Sequence, residues 1–324
     1  MLAQPLISVV IPARDAGRFL AATLDSIIAQ HEHRWECIVV DDGSSDDTFA
    51  IAQDYQSSDR RIHAYQAEAG GTSAARNHGF RRIAATSQFV SFMDSDDIWL
   101  PHALETLVGR LRADPTAIGS HGLAEFIDAD GLPMTPGVYA ETGRSRLGLE
   151  GRRLVRWPLD RSTSFDVLIN GNVLFPPGLV LTRRRGYELV GPFDESLSGP
   201  EDWDMLIRLS RLGDLAFVND VILYYRRHDS NLGARPGIEM QAWLVRCIAF
   251  HASENSVDQR EAARRGWRAY QVHVGRTRLA DAGRALKRGD VPTAVRLAVR
   301  VPVHVWRYMR GYPLPRVARK PLAW

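Results

Sequence analysis

The run Phe89-Val90-Ser91-Phe92-Met93 is apolar and strand-prone, and it stops abruptly at Asp94-Ser95-Asp96-Asp97, three carboxylates within four positions. Carboxylates crowded at the end of a buried strand repel one another unless a cation or a hydrogen-bonding ligand offsets their charge. Hard divalent cations such as Mg²⁺ or Mn²⁺ meet that need, because they take oxygen from one or two carboxylates and keep sites for phosphate oxygens.

The segments around this run alternate strand and helix signals. Leu6 to Ile11, Glu36 to Val40, Arg61 to Gln66 and Gln88 to Met93 read as strands; Arg18 to Gln30, Asp46 to Gln56, Thr72 to Ala85 and Pro101 to Ala113 read as helices. That alternation predicts an α/β fold with a mostly parallel sheet flanked by helices. In such sheets ligands bind beyond the carboxyl ends of the strands. Pro12-Ala13-Arg14-Asp15, Asp41-Asp42-Gly43-Ser44 and Asp94-Ser95-Asp96-Asp97 each follow a strand directly, so all three are expected on one edge.

Regularity lapses over about 131–176, where Gly, Pro and Arg are scattered without period, as in an insertion or lid that sets specificity. It returns with a strand at Gly178 to Thr182, a helix at Glu201 to Arg211 and a strand at Val221 to Tyr225; from Ile238 the pattern is helical, interrupted at Gly289, Pro292 and Pro302.

With 324 residues, 45% of them hydrophobic, the chain can bury one large domain plus an appendage. Cys37 and Cys247 lie far apart in apolar runs, so a reducing cytoplasm is expected rather than a disulfide framework. No basic region precedes a long apolar stretch, and no uncharged apolar run approaches the roughly 20 residues that span a bilayer. The net charge of +3 conceals an asymmetry: from Arg260 onward 16 Lys and Arg stand against 3 Asp and Glu, while the body before it is net acidic. In the tail, Arg296, Arg300, His304, Arg307 and Arg310 recur at spacings of four and three among valines and Trp306. Two readings stay open: peripheral contact with an anionic membrane, and a helical appendage packed on the acidic body. Pro302 is expected to kink a continuous helix here. Charge alone would permit nucleic acid, but no recognition motif accompanies it, and none is expected as a partner.

Five pieces occur together and in order: Ser8-Val9-Val10-Ile11-Pro12, Val39-Val40-Asp41-Asp42-Gly43-Ser44-Ser45-Asp46-Asp47-Thr48, Gly71-Thr72-Ser73-Ala74-Ala75-Arg76-Asn77, the run at Asp94, and Glu201-Asp202-Trp203-Asp204. Over about residues 6 to 228 the chain resembles a family 2 glycosyltransferase, an inverting enzyme of GT-A fold. The resemblance implies a catalytic nucleotide-sugar-binding domain over 1–235, with 236–324 a helical, basic region outside the shared core. It implies a nucleotide-diphosphate sugar donor, with UDP favoured and dTDP open, and a glycan or lipid-linked acceptor in the synthesis of exopolysaccharide, lipopolysaccharide or glycolipid. The enzyme would be cytoplasmic, or peripheral on the inner membrane face.

Residue by residue, Pro12, Ala13 and Asp15 would line the donor site and Asp42 would bind the base. A carboxylate there can accept the imide N3–H of uracil or thymine, although Asp, Gly and Ser at 41–46 also suit a plain turn and helix cap. Arg76 would contact the nucleotide, where a lone surface arginine is the plain alternative. Asp94 and Ser95 would face the ribose or a metal-bound water, and Asp96 would coordinate Mn²⁺ or Mg²⁺ with Asp94, Asp97 supporting them. His228, at the end of a strand, would be a further metal ligand or simply a satisfied polar residue. Asp202, with Glu201 beside it, would be the general base, kept ionised and weakly basic by the helix N-terminus it opens. Two other classes compete: a non-catalytic nucleotide-sugar-binding or membrane-docking module, and another metal-dependent enzyme such as a nucleotidyltransferase or hydrolase. The intact Glu201-Asp202 pair argues against the first, and the lack of a Gly-rich start against a nucleotidyltransferase.

Overall fold

Strands β1 (Ile7–Ala13) and β2 (Trp35–Asp41) are buried at every position, as strands covered on both faces must be. The structure is a computed structural model and describes residues 6–134, 146–150, 153–229, 231, 238–253 and 256–310. Helix α1 (Leu20–Ile28) follows β1 and α2 (Thr48–Ser58) follows β2; then come β3 (Ile62–Gln66), α3 (Thr72–Phe80) and β4 (Phe89–Phe92). β1 lies between β2 and β4, and β2 pairs with β3, all in parallel. The expected elements of this half therefore stand within a few residues of their sequence limits, except that α3 stops at Phe80.

The other half is mixed. After β5 (Ile98–Trp99) and α4 (Ala103–Ala113), β6 (Gly119–Ile127) runs parallel to the last strand. Next come a small separate hairpin, β7 (Leu147–Glu150) with β8 (Arg153–Arg156), and a short α5 (Phe165–Leu168). A 3-10 turn at Pro177–Leu179 leads into β9 (Val180–Arg183), which pairs antiparallel with both β4 and β6. α6 (Arg184–Val190), α7 (Glu201–Leu209) and β10 (Leu215–Arg226) follow, and the sheet order is β3-β2-β1-β4-β9-β6-β10-β5.

The short β5 and α6 were not expected, and two larger features also depart from expectation. The segment expected to be irregular contains the β7–β8 hairpin and α5, with the 3-10 turn just beyond it; its residues 135–145 and 151–152 lie outside the described ones. β6 was not expected at all. Its Gly-Ser-His-Gly sequence has poor strand propensity, but it lies between β9 and β10, where a Cβ on Gly119 would come within 2.5 Å of Leu215 and 2.9 Å of the Leu181 carbonyl. Tertiary packing selects small residues there over β-branched ones.

Among the described residues, four helices follow: α8 (Ile238–His251), α9 (Val257–Lys287), α10 (Val291–Ala298) and α11 (Val301–Arg310). The first two are not peripheral. Val245, Ile248, Ala249 and Phe250 of α8 and Ala262 and Ala263 of α9 belong to the same hydrophobic core as β1 and β2. The buried Arg246 donates to the Asn170 carbonyl at 2.7 Å and lies between the rings of Trp203 and Tyr270. α10 and α11 rest on α9. The chain turns between them at Val299 and Arg300, and Pro302 stands in the first turn of α11, a position where proline has no donor to lose. The expected kink is thus a break between two helices. Both cysteines are buried thiols. No described helix is long and apolar enough to cross a membrane.

α3 lies so close to the sheet that a Cβ on Gly79 would sit 2.4 Å from Val10 Cγ1 and 3.2 Å from Val40 Cγ2. Helix propensity favours alanine over glycine by about 1 kcal/mol. Overpacking a dense core costs about 1–3 kcal/mol. The clash should win, so Gly79→Ala is expected to lower the denaturant midpoint; an unchanged or raised midpoint would show that α3 is not seated this tightly.

Candidate active site

The carboxyl ends of β1, β2 and β4 bring the three polar clusters to one edge. Pro12 and Ala13 close β1 and are buried; Asp15, in the left-handed region at φ 47°, turns the chain outward. Its N–H donates to Ser44 Oγ at 2.9 Å, and its Oδ1 accepts from the Ser45 N–H at 2.8 Å. The loops after β1 and β2 are thus laced together. Asp42 is buried, and its carboxylate accepts the N–H groups of Gly70 at 2.7 Å and Gly71 at 2.9 Å, with Arg14 3.8 Å away. The two glycine amides are thus engaged by Asp42.

Beyond β4, Asp94, Asp96 and Asp97 offer oxygens that all lie within 4.8 Å of one another. Ser95 between them is half-buried. Burial pushes the Asp94 carboxyl up to about 6, with Asp96 adding to the rise and Arg76 opposing it. Asp97 is fully buried and held well above the usual carboxylate range by that burial and by its two acidic neighbours. Its Oδ1 accepts the Arg226 N–H at 3.0 Å, while its Oδ2 has no hydrogen-bond partner among the described residues. Asp96 Oδ2 meets His228 Nε2 at 2.8 Å and Asn231 Nδ2 at 3.4 Å, and the His228 ring packs against Phe19. Three close carboxylates, one with an orphaned buried oxygen, form an all-oxygen set that suits a hard divalent cation, with imidazole alongside. Arg226 does not face this edge. Its guanidinium bonds the carbonyls of Asp96, Asp128 and Ala129.

Arg76 is also not directed outward. It is 2% exposed and spans two acids, donating to Asp94 Oδ1 and to Glu201 Oε1, each at 2.8 Å. Glu201 takes the Gly199 N–H on its other oxygen at 2.6 Å. Next to it, Asp202 Oδ1 accepts the Trp203 N–H at 2.6 Å, and Asn172 Nδ2 lies 3.3 Å from both Asp202 oxygens. Asp204 pairs with Arg208, one helical turn on, at 3.0 Å.

The expected charge state of Asp202 needs correction. The helix N-terminus was expected to keep it ionised and weakly basic, but burial outweighs that dipole, and with the Glu201 charge it pushes the carboxyl up to about 7 despite Arg76. A carboxylate so poised is a far better proton acceptor near neutrality.

With this geometry in view, residues 8–144 match the family model described as glycosyl transferase family 2. The chain is similar to that family over this stretch, which is less than half of its length. The putative teichuronic acid biosynthesis glycosyltransferase TuaG of Bacillus subtilis is 35% identical over 138 residues, 42% of this chain and 54% of that protein. The chain spans less than two thirds of the length of the first curated relatives it matches. Among solved structures, S. aureus TarS in complex with UDP-GlcNAc superposes with a TM-score of 0.62 at 13% identity, covering 94% of this chain and 92% of that one. The mannosyltransferase PcManGT from Pyrobaculum calidifontis, in complex with GDP-Man and Mn²⁺, gives 0.54 at 17%, covering 96% and 85%. At such identities the likeness establishes the GT-A fold.

Sequence reasoning missed Asn172, Asn231 and Arg246. Asn172 lies in the stretch between α5 and the 3-10 turn, where no period marks it, and Asn231 follows His228 in a polar run. Neither carries a local signal, because their partners are 30 and 135 residues away in sequence.

Replacing Arg76 with methionine keeps its bulk but leaves two carboxylates without their shared countercharge. Breaking a buried ion pair this way costs about 3–5 kcal/mol. Arg76→Met should therefore unfold at much lower denaturant at pH 8. Because Arg76 restrains the rise of the Asp94 carboxyl, its removal should let Asp94 protonate more readily, so the deficit should shrink at pH 5. Equal deficits at the two pH values would contradict the ion-pair account.

Proposed function

We propose that the chain transfers a sugar from a nucleotide-diphosphate donor to an acceptor hydroxyl, with inversion at the anomeric carbon. The observation that carries this reading is the Arg76 bridge. One buried guanidinium holds a carboxylate of the acidic cluster and the residue beside Asp202 at equal distances of 2.8 Å, so a cation-binding edge and a candidate base adjoin.

In this reading the donor base lies against Pro12, Ala13, Asp15 and Asp42. Asp42 accepts an imide N–H with lone pairs not used by Gly70 and Gly71, which favours a uracil or thymine nucleotide. Arg76 acts by placing Asp94 and Glu201 rather than by touching the nucleotide. Asp94 and Asp96 would hold Mn²⁺ or Mg²⁺, with Asp97 and His228 adjoining them; once bound, the ion supplies positive charge to the departing diphosphate. Asp202, oriented by Asn172 and the Trp203 N–H, takes the proton of the acceptor hydroxyl. That oxygen bonds to the anomeric carbon, and the bond from that carbon to the phosphate oxygen breaks, its electron pair leaving with the nucleoside diphosphate. The acceptor is a glycan or a lipid-linked sugar. TarS, seen with UDP-GlcNAc, supports a UDP-sugar, and TuaG, named for teichuronic acid biosynthesis, supports a role in biosynthetic transfer, while PcManGT with GDP-Man keeps guanine donors in the test.

Calorimetric titration of UDP, dTDP and GDP with and without Mn²⁺ is expected to show metal-dependent binding of UDP, lost in Asp96→Ala. No binding of any of the three would remove the donor assignment. Asp202→Asn should retain nucleotide binding and lose about 10²–10⁴-fold in kcat.

The pH dependence follows from the raised carboxyl of Asp202. A base must be ionised, so turnover should climb through about pH 7 and level off above it. Its effect on stability runs the other way. The folded state holds this proton more tightly than the unfolded one, so Asp202 costs stability as pH rises from near 3.8 to about 7. A kcat profile flat from pH 5.5 to 8 would assign the base elsewhere.

A further inference from the structure

The exposed outer face of α10 and α11 is apolar. Val291, Val295 and Val299 recur at every fourth position, and Pro302, Val305, Trp306 and Met309 follow at i, i+3, i+4 and i+7, one stripe of each helix. Val295 is 54% exposed, Val299 64% and Met309 67%, whereas the opposite stripe, Ala294 and His304, is buried. His304 Nδ1 lies 2.8 Å from Gln271 Oε1 of α9, which fixes the rotation of α11 and so which face points outward. The charge on the same segment has one sign. Residues 291–310 contain Arg296, Arg300, Arg307 and Arg310 and no Asp or Glu, and Arg296 and Arg300 are exposed.

We propose that this face is a membrane-docking surface that lies on an anionic phospholipid bilayer, its valines, Trp306 and Met309 entering the headgroup boundary while the arginines meet lipid phosphates. Two observations favour lipid over a second copy of this chain. A self-complementary contact would set the exposed Arg296 and Arg300 of one helix pair near those of the other with no acid in the segment to offset them, whereas an anionic surface supplies countercharge throughout. The body before Arg260 carries more acidic than basic residues, so an anionic surface repels it and attracts only the tail, which gives docking one orientation. With no described helix able to cross a bilayer, the contact is one of lying on the surface. The proposal does not depend on the sugar-transfer reading.

The test uses the full chain and sedimentation with phosphatidylcholine vesicles, with and without phosphatidylglycerol. Binding is expected only with phosphatidylglycerol and should weaken as salt is raised. Val305→Asp with Met309→Asp, and separately Arg296→Glu with Arg300→Glu, should each reduce it by about tenfold or more. Thermal unfolding and UDP titration of these variants should match wild type, because the altered side chains are exposed. Equal binding to both vesicle types, no binding to either, or a dimer in sedimentation velocity that Val305→Asp with Met309→Asp dissolves would overturn the proposal. Failure of wild type to bind nucleotide would count against sugar transfer and leave the vesicle result standing.

Discussion

Arg76 is the joint on which the edge of the sheet depends. Its side chain leaves α3 and fixes two elements that are distant in sequence, the end of β4 through Asp94 and the start of α7 through Glu201. Burial and the nearby Glu201 charge push the Asp94 carboxyl upward, and the guanidinium between the two acids opposes that rise. Arginine suits this task better than lysine because its planar fork directs separate N–H groups at two carboxylates at once and stays charged when buried. The Phe193 ring below the guanidinium excludes water from the bridge. The spacing of the acidic edge from the Glu201-Asp202 pair is therefore set by a rigid ionic contact rather than by loop length.

Electrostatic opposition of this kind runs through the whole edge. Asp94, Asp97 and Asp202 are all pushed upward, first by burial and then by neighbouring carboxylates. A fold seeking only stability would have placed apolar residues there, since a buried ion pair is weak evidence of net stabilisation. Polar groups concentrated at the carboxyl ends of parallel strands, against their own solvation, fit a site built to meet a charged ligand.

Much of this could be read from the sequence. The buried strands announce themselves by unbroken apolar runs, and Asp42, Asp94, Asp96, Glu201 and Asp202 by their place after a strand or before a helix. The charge state of Asp202 could not be read, because the helix that would lower its pKa is visible in sequence while the burial that raises it is a sum over distant neighbours. Arg76 looked like a ligand contact because its partners lie 18 and 125 residues away. β6 escaped notice because its small residues answer to the strands on either side of it rather than to strand propensity.

The clasp formed by Arg246 separates two notions of a unit. The stretch that matches the family model ends at residue 144, and the stretch that resembles the family by motif ends near 228. Neither includes α8, yet Arg246 caps the Asn170 carbonyl two residues from Asn172 and stacks on Trp203, the neighbour of Asp202. A fragment cut near 228 would expose an indole and the core faces of α5 and α7 to water, and one cut at 144 would lack both helices. The recognisable block is thus smaller than the hydrophobic core, which draws in α8 and the start of α9 from outside the shared motif.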